Sequence, residues 1–426
     1  MHPRMLSTGP LLDVLGTPSA AEQQSNLDNA ATTPALACVV ARVLELLPWY
    51  GSINRGAGVR ARVSSDAYEG SRATVHRLVG ARADQAVVFT RNTTDGLNKV
   101  ARLLLHQHSK RAVVLTTASE HHANLLPWRW MDYRHVRLLD DGSPDVDHLA
   151  TLLDSLRGRV KLVALSGASN VTGHVPDIAL WSRLTHDAGA ELCVDAAQLA
   201  PHRALELAAL GIDHCAFSGH KLFAPFGSGV LISPVRFLES GPPDVWGGGA
   251  TAAVSLEDIE WNCAPERDEA GTPNVLGAVA LATALEHLHQ VGFDVLEQHE
   301  RGLESGVLAA LAASPEIITP ARAAGDRVGV FPFAVRDRDP HALAEALGAR
   351  GVAIRAGKFC AHPLVRHLRT SMGLDPDGGL LRVSLAGSTG MHEITRFETA
   401  LGELLQAPGA PILTRPETTR ESAEQP

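Results

Sequence analysis

The feature that most constrains this chain is a repeated pairing. A short apolar run ends in a polar cluster, and a stretch with helical spacing follows. Ala86 to Thr90 is such a run, and from Thr93 to His106 it is followed by Leu97, Val100, Ala101, Leu104 and Leu105 at the separations of one helix face. Ala112 to Thr116 and Val160 to Ser166 read as further buried strands, the second leading to a helix near Ile178 to Ala188. Glu191 to Asp195 and Asp213 to Ser218 continue the series, and Gly229 to Ser233 reads as a last strand that turns back. Apolar strands alternating with helices predict an α/β fold, with a mostly parallel sheet covered on both faces. A long, largely apolar helix from Asn274 to Val291 leads to a region of different order: helix, strand (Val328 to Val335), helix, strand (Val352 to Arg355), strand (Leu380 to Leu385), helix.

At 426 residues the chain exceeds what one compact core accommodates, so a large and a smaller domain are expected. The reading is a flexible arm over 1–25, a large domain over 26–292, a smaller C-terminal α+β domain over 293–406, and a tail over 407–426. The tail offers so little to bury that disorder is expected. The net charge of −9 announces no basic face and argues against nucleic-acid binding. The five cysteines (Cys38, Cys193, Cys215, Cys263, Cys360) are scattered, with no Cys-x-x-Cys pair. That speaks against a disulfide framework and a zinc site, and for a reducing cytoplasmic setting with no metal. No run of 18 apolar residues occurs, and Gly9 to Leu15 is too short for a signal core and is broken by Asp13, so neither a membrane span nor a leader is expected.

In open α/β sheets ligands gather at the carboxyl ends of the strands, and five polar clusters sit there in succession. Asp195-Ala196-Ala197-Gln198 closes one strand, where a buried carboxylate needs a cationic partner such as a pyridinium nitrogen. Ser218-Gly219-His220-Lys221 closes the next, and a lysine beside the same pocket can form an imine if its pKa is depressed. Asn92-Thr93-Thr94-Asp95-Gly96 puts hydroxyls and free amides at a helix N-terminus, which suits a phosphate. Glu120-His121-His122-Ala123-Asn124 and Ser169-Asn170-Val171-Thr172-Gly173 follow two further strands. Singly, each cluster reads as a helix cap or a solvated loop. Their order is what carries meaning.

In that order the chain resembles the class V aminotransferase family, within it the cysteine desulfurase and selenocysteine lyase branch. The resemblance runs from about Asn26 to Leu405. Besides these clusters it rests on Leu27-Asp28-Asn29-Ala30-Ala31-Thr32-Thr33-Pro34, Gly247-Gly248-Gly249, Glu269-Ala270-Gly271-Thr272-Pro273-Asn274 and Arg355-Ala356-Gly357-Lys358-Phe359-Cys360-Ala361. It implies the type I fold of enzymes dependent on pyridoxal 5'-phosphate (PLP), with Lys221 as the Schiff-base lysine and Cα proton carrier. Asp195 would pair with the ring nitrogen, His121 would stack on the ring and shuttle a proton, and Gln198 would donate to its phenolate oxygen. Thr93, Thr94, Ser218 and His220 would hold the phosphate, and Thr272 would reach the phosphate of a neighbouring protomer in a homodimer. Asn170 would contact the cofactor and, with Arg355 and Arg382, hold the carboxylate of a small amino-acid substrate.

The resemblance also implies the reaction. In the desulfurase branch a cysteine in an Arg-x-Gly-x-x-Cys-Ala segment takes sulfur from the cofactor-bound substrate as a persulfide, passes it to an acceptor protein, and leaves alanine. Cys360 stands at that position, with Lys358 expected to help lower its pKa. Three departures fall on the substrate side. Lys358-Phe359 replaces a histidine pair, Asn54 to Arg60 lacks a histidine, and Gly387-Ser388-Thr389-Gly390 follows the Ser384-Leu385 strand end where Tyr-Asn-Thr is usual. They leave open a C–S β-lyase, an epimerase or an aminotransferase, and more remotely a non-catalytic binding protein. A nicotinamide dehydrogenase is disfavoured, because Gly227-Ser228-Gly229 precedes a strand instead of joining a strand to a helix.

Overall fold

The computed structural model describes residues 10–15, 24–53, 56–108 and 112–406. The expected tail, most of the expected arm, and Asn54 and Arg55 lie outside the described residues.

Seven strands form the central sheet, in the order Gln85–Thr90, Gly229–Pro234, His214–Ser218, Glu191–Asp195, Val160–Ser166, Val113–Thr117, Asp132–Val136. All neighbours pair in parallel except at Gly229–Pro234, which runs antiparallel to both strands beside it. This is the strand that the sequence predicts to turn back. Val113–Thr117 and His214–Ser218 are buried at every position, as expected for strands covered on both faces. The helices Ile178–Asp187 and Val275–Val291 pack among one large apolar cluster, and Thr93–His108 packs on the opposite face with Val88, Val114, Leu162 and Leu231.

A second, antiparallel sheet has the order Ile317–Ile318, Val330–Val335, Leu380–Ser384, Arg355–Gly357. The helices Phe293–Ala312, Pro340–Gly348 and Met391–Gln406 cover it through Leu303, Val307, Leu347, Phe397 and Leu401. Among the described residues, no helix is long and apolar enough to cross a membrane.

Two boundaries differ from expectation. Within the expected arm, Leu12 is buried in the large core, and the N–H groups of Leu11 and Leu12 donate to the Gly387 carbonyl. Ser25–Asn26 pairs in parallel with Val352–Ala353, and Asp28 bridges to Ser384, so the segment that opens the family motif lies on the small sheet. Leu27 explains this: it is buried in the small sheet's apolar cluster.

Candidate active site

Four of the parallel strands and Gln85–Thr90 end on one edge of the large sheet, and their polar clusters meet there. A cavity of about 280 Å³ is lined by Thr93, Thr94, His121, Asn170, Asp195, Gln198, Ser218, His220, Lys221, Arg355, Cys360 and Arg382, together with Ser166 and Phe359. Residues as far apart in sequence as Thr93 and Arg382 are thus brought into one wall.

Lys221 lies in the short turn after the His214–Ser218 strand. Burial brings its pKa down to about 8; Asp195 opposes that fall and Arg382 adds to it. A substantial fraction of the amine is therefore neutral near pH 8, and hence nucleophilic. Asp195 ends the adjacent strand, is 5% exposed, and accepts from the Ala197 N–H at 3.0 Å. Burial raises its pKa, and Lys221, which lines the same cavity, opposes the rise. A buried carboxylate that accepts a single backbone hydrogen bond on a cavity wall is a receptor for a cationic ligand atom. Gln198 donates one amide hydrogen to the Ala30 carbonyl at 2.6 Å and has a second left over.

At the start of the Thr93–His108 helix, the Thr93 N–H donates to Ser218 Oγ at 2.8 Å, and the two hydroxyls lie 2.6 Å apart. Thr94 and His220 line the cavity beside them. Gly229 allows the close approach: a Cβ there would stand 2.7 Å from Asn92 Cα and 2.8 Å from the Phe217 carbonyl oxygen. The arrangement presents hydroxyls and a helix N-terminus to an anion.

His121 caps the His122–Leu125 helix, its Nδ1 accepting from the Ala123 N–H at 3.1 Å. Burial first, then Lys221 and His122, bring its pKa down to about 4, so the ring is neutral and carries its proton on Nε2. Its neighbour Glu120 is fully buried. The carboxylate accepts from Thr117 Oγ1 and Asn124 Nδ2, both at 2.7 Å, and from the Ser166 N–H at 3.1 Å. It fastens the His121 turn to the end of the Val160–Ser166 strand.

Cys360 is exposed and lines the same cavity, in a loop of unusual backbone. Phe359 and Cys360 have φ of 50° and 53°, left-handed values that non-glycine residues adopt only when the surroundings enforce them. Three bonds do so: Asn170 Nδ2 to the Phe359 carbonyl at 2.8 Å, the His122 N–H to the Cys360 carbonyl at 2.7 Å, and the Ala361 N–H to the Lys358 carbonyl at 2.8 Å. The Phe359 ring lies under the Arg382 guanidinium, 4.9 Å away. Arg382 is 2% exposed; its Nη1 donates to the Asn170 carbonyl at 3.0 Å, and its Nε is buried without a partner among the described residues.

The class V aminotransferase family model matches residues 25–397. The chain belongs to that family. It is 32% identical, over 80% of its length and 85% of the relative's, to a probable cysteine desulfurase of Halalkalibacterium halodurans. A relative of the same description from Staphylococcus aureus is also 32% identical, over 81% of this chain and 85% of its own. Among solved structures, the cysteine desulfurase CsdA of Escherichia coli superposes with a TM-score of 0.80 at 31% identity, covering 91% of this chain and 96% of that one. The apo cysteine desulfurase of Thermococcus onnurineus superposes with a TM-score of 0.81 at 30% identity, covering 89% and 94%. The fold is that of these PLP-dependent type I enzymes.

One class V family residue is not in the cavity. Thr272 lines a separate, open cleft with Ser52, Ile53, Gly248, Gly249 and Asn262. Asp28, Glu120, Ser166 and Phe359 also serve the site, although the sequence does not mark them as site residues. Asp28, Glu120 and Phe359 stand inside motifs that the sequence singles out. Their roles come from contacts with distant segments, which motif spacing does not reveal.

Proposed function

We propose that this family member is a PLP-dependent cysteine desulfurase, which moves sulfur from L-cysteine to Cys360 and releases alanine. The observation that carries the reading is that an exposed cysteine, a lysine of depressed pKa and a buried arginine line one cavity. The residues present fit the cofactor. Asp195, a buried carboxylate on the cavity wall, suits a pyridinium nitrogen, Gln198 has a spare N–H for the ring oxygen, and Thr93, Thr94, Ser218 and His220 suit a phosphate. When bound, PLP supplies an electron sink that weakens the bonds at the substrate's Cα and Cβ.

The chain's own residues would do the rest. Arg382, with Arg355 and Asn170, orients the substrate carboxylate. Lys221 Nζ takes the proton from Cα. Cys360 Sγ, as the thiolate, forms an S–S bond to the substrate sulfur while the Cβ–S bond breaks. The electron pair of the broken bond goes to Cβ, which takes up a proton. Alanine and a persulfide on Cys360 result, and the persulfide sulfur then passes to an acceptor protein. His121, neutral and protonated at Nε2, would serve the cavity as a hydrogen-bond donor more readily than as a base.

In the same reading a PLP-binding part over about 26–292 works with a smaller part over 293–406, in the cytoplasm and as a homodimer. Support for the dimer comes from the open cleft holding Thr272 and from exposed Tyr50, Val245, Trp246 and Leu256 on the neighbouring segments. The test is a product assay with L-cysteine and a reductant: wild type forms alanine and sulfide in equal amounts, and Cys360→Ala forms neither. Pyruvate and ammonia in place of alanine, with Cys360 dispensable, would make the chain a β-lyase instead.

A further inference from the structure

Arg355 and Arg382 stand directly opposite each other on adjacent antiparallel strands. Like charges so placed destabilise a sheet, and a buried arginine without a counter-charge is costly. One carboxylate answers both. Asp28 Oδ1 accepts from Arg355 Nε and from Arg382 Nη2, each at 3.0 Å, and its Oδ2 accepts from Arg355 Nε at 2.9 Å and Nη2 at 2.7 Å. The carboxylate is largely buried, and its backbone is fixed by a bond from its own N–H to Asn26 Oδ1 and by the bridge to Ser384. Two guanidinium groups against one carboxylate leave a single positive charge at this end of the cavity.

We propose that Asp28 is a specificity-determining residue that limits the substrate end to one carboxylate. It would thereby favour an amino acid with an uncharged side chain over one with a second acid group, such as aspartate or cysteine sulfinate. The proposal rests on the reading that Arg355 and Arg382 receive the substrate carboxylate. Removing the Asp28 charge leaves a second unit of positive charge on the guanidinium pair that lines the cavity and would meet a second ligand carboxylate. At an effective dielectric constant of about 20 that is worth at least a factor of about ten in affinity.

The test compares L-aspartate with L-2-aminobutyrate, two four-carbon amino acids that differ by one carboxylate. Dissociation constants are read from the cofactor absorbance of wild-type, Asp28→Asn and Asp28→Glu holoenzyme, so turnover is not needed. Asp28→Asn is expected to shift the ratio at least about tenfold towards aspartate, and Asp28→Glu to hold it near the wild-type value. A purely structural counter-ion would weaken both ligands alike, and a ratio unchanged in Asp28→Asn overturns the proposal. Should Asp28→Asn not fold, Arg355→Gln removes one cation and must shift the ratio the other way; an unchanged ratio there also overturns it. Failure of the underlying reading looks different: Arg382→Lys would leave both affinities untouched, or wild type would form no alanine from cysteine while the Asp28 ratio still moved.

Discussion

Replacing Glu120 by glutamine should change how stability depends on pH, and the structure gives both the sign and the size. Burial outweighs the donors around the carboxylate and pushes its pKa up from 4.5 to about 7. An acid whose pKa rises on folding holds its proton more tightly in the folded chain than in the unfolded one. Its contribution is therefore full below about pH 4.5 and is lost as the pH climbs to about 7. At 1.36 kcal/mol per pH unit, that interval amounts to about 3 kcal/mol. Glu120→Gln removes the titration and keeps most of the bonding. The new carbonyl accepts from Thr117 Oγ1 and the Ser166 N–H. The new amide meets Asn124, whose Oδ1 is buried without a partner and accepts once its own amide turns over, and Ser166 Oγ, which donates to the same Glu120 oxygen as Asn124 does and turns to accept from the amide. Calorimetric melting of both holoenzymes from pH 5 to pH 8 is the assay. The melting temperature of Glu120→Gln should gain several degrees on wild type across that range. A gap that stays constant with pH refutes the reasoning, because Glu120 would then not be the group losing its proton.

Three further outcomes follow from the site. Cofactor incorporation into apoprotein should speed up as the pH rises through about 8 and then level off, as the Lys221 amine deprotonates, and Lys221→Ala should lack the cofactor absorbance band altogether. Cys360→Ala should keep that band and form no sulfide, and because Cys360 is exposed its unfolding free energy should change by less than about 0.5 kcal/mol. Phe359→Ala removes a buried ring from beneath Arg382, so denaturant unfolding should show a loss of about 3 kcal/mol and steady-state kinetics a rise in KM for cysteine larger than the fall in kcat.

The large sheet was legible because its strands are buried on both faces, which makes them continuous apolar runs. Val160–Ser166 and Glu191–Asp195 fall where the sequence places them, and Val113–Thr117 is displaced by one residue. Asp132–Val136 was missed for the converse reason. It is one of the sheet's two edge strands, its pattern Asp-Tyr-Arg-His-Val is mostly polar, and only Val136 is buried. The helix Val59–Leu78 carries so many charged and small residues on its exposed side that its buried positions, Tyr68 and Val75 among them, leave no clear apolar stripe. The strand read over Val352 to Arg355 is two short ones, Val352–Ala353 and Arg355–Gly357, paired on different sides.

For the site, legibility followed the sheet: each cofactor-side residue of the cavity follows a strand end and inherits its position from an apolar run, whereas Thr272 lies in a separate cleft. The substrate side has no such anchor. Asp28 and Arg382 are 354 residues apart, and neither implies the other until Leu27 is buried with the small sheet and brings Asp28 against Arg382. Phe359 looks like a loss of function when the sequence is read against a histidine pair. Its ring supports Arg382, and its carbonyl takes the Asn170 bond that holds Cys360 in a left-handed loop. Neither role requires a side chain that can titrate. The Phe359 departure therefore bears on how the substrate and Cys360 are positioned, while the cavity groups that would hold the cofactor are untouched, and tests at Asp28 and Phe359 can separate substrate choice from PLP chemistry.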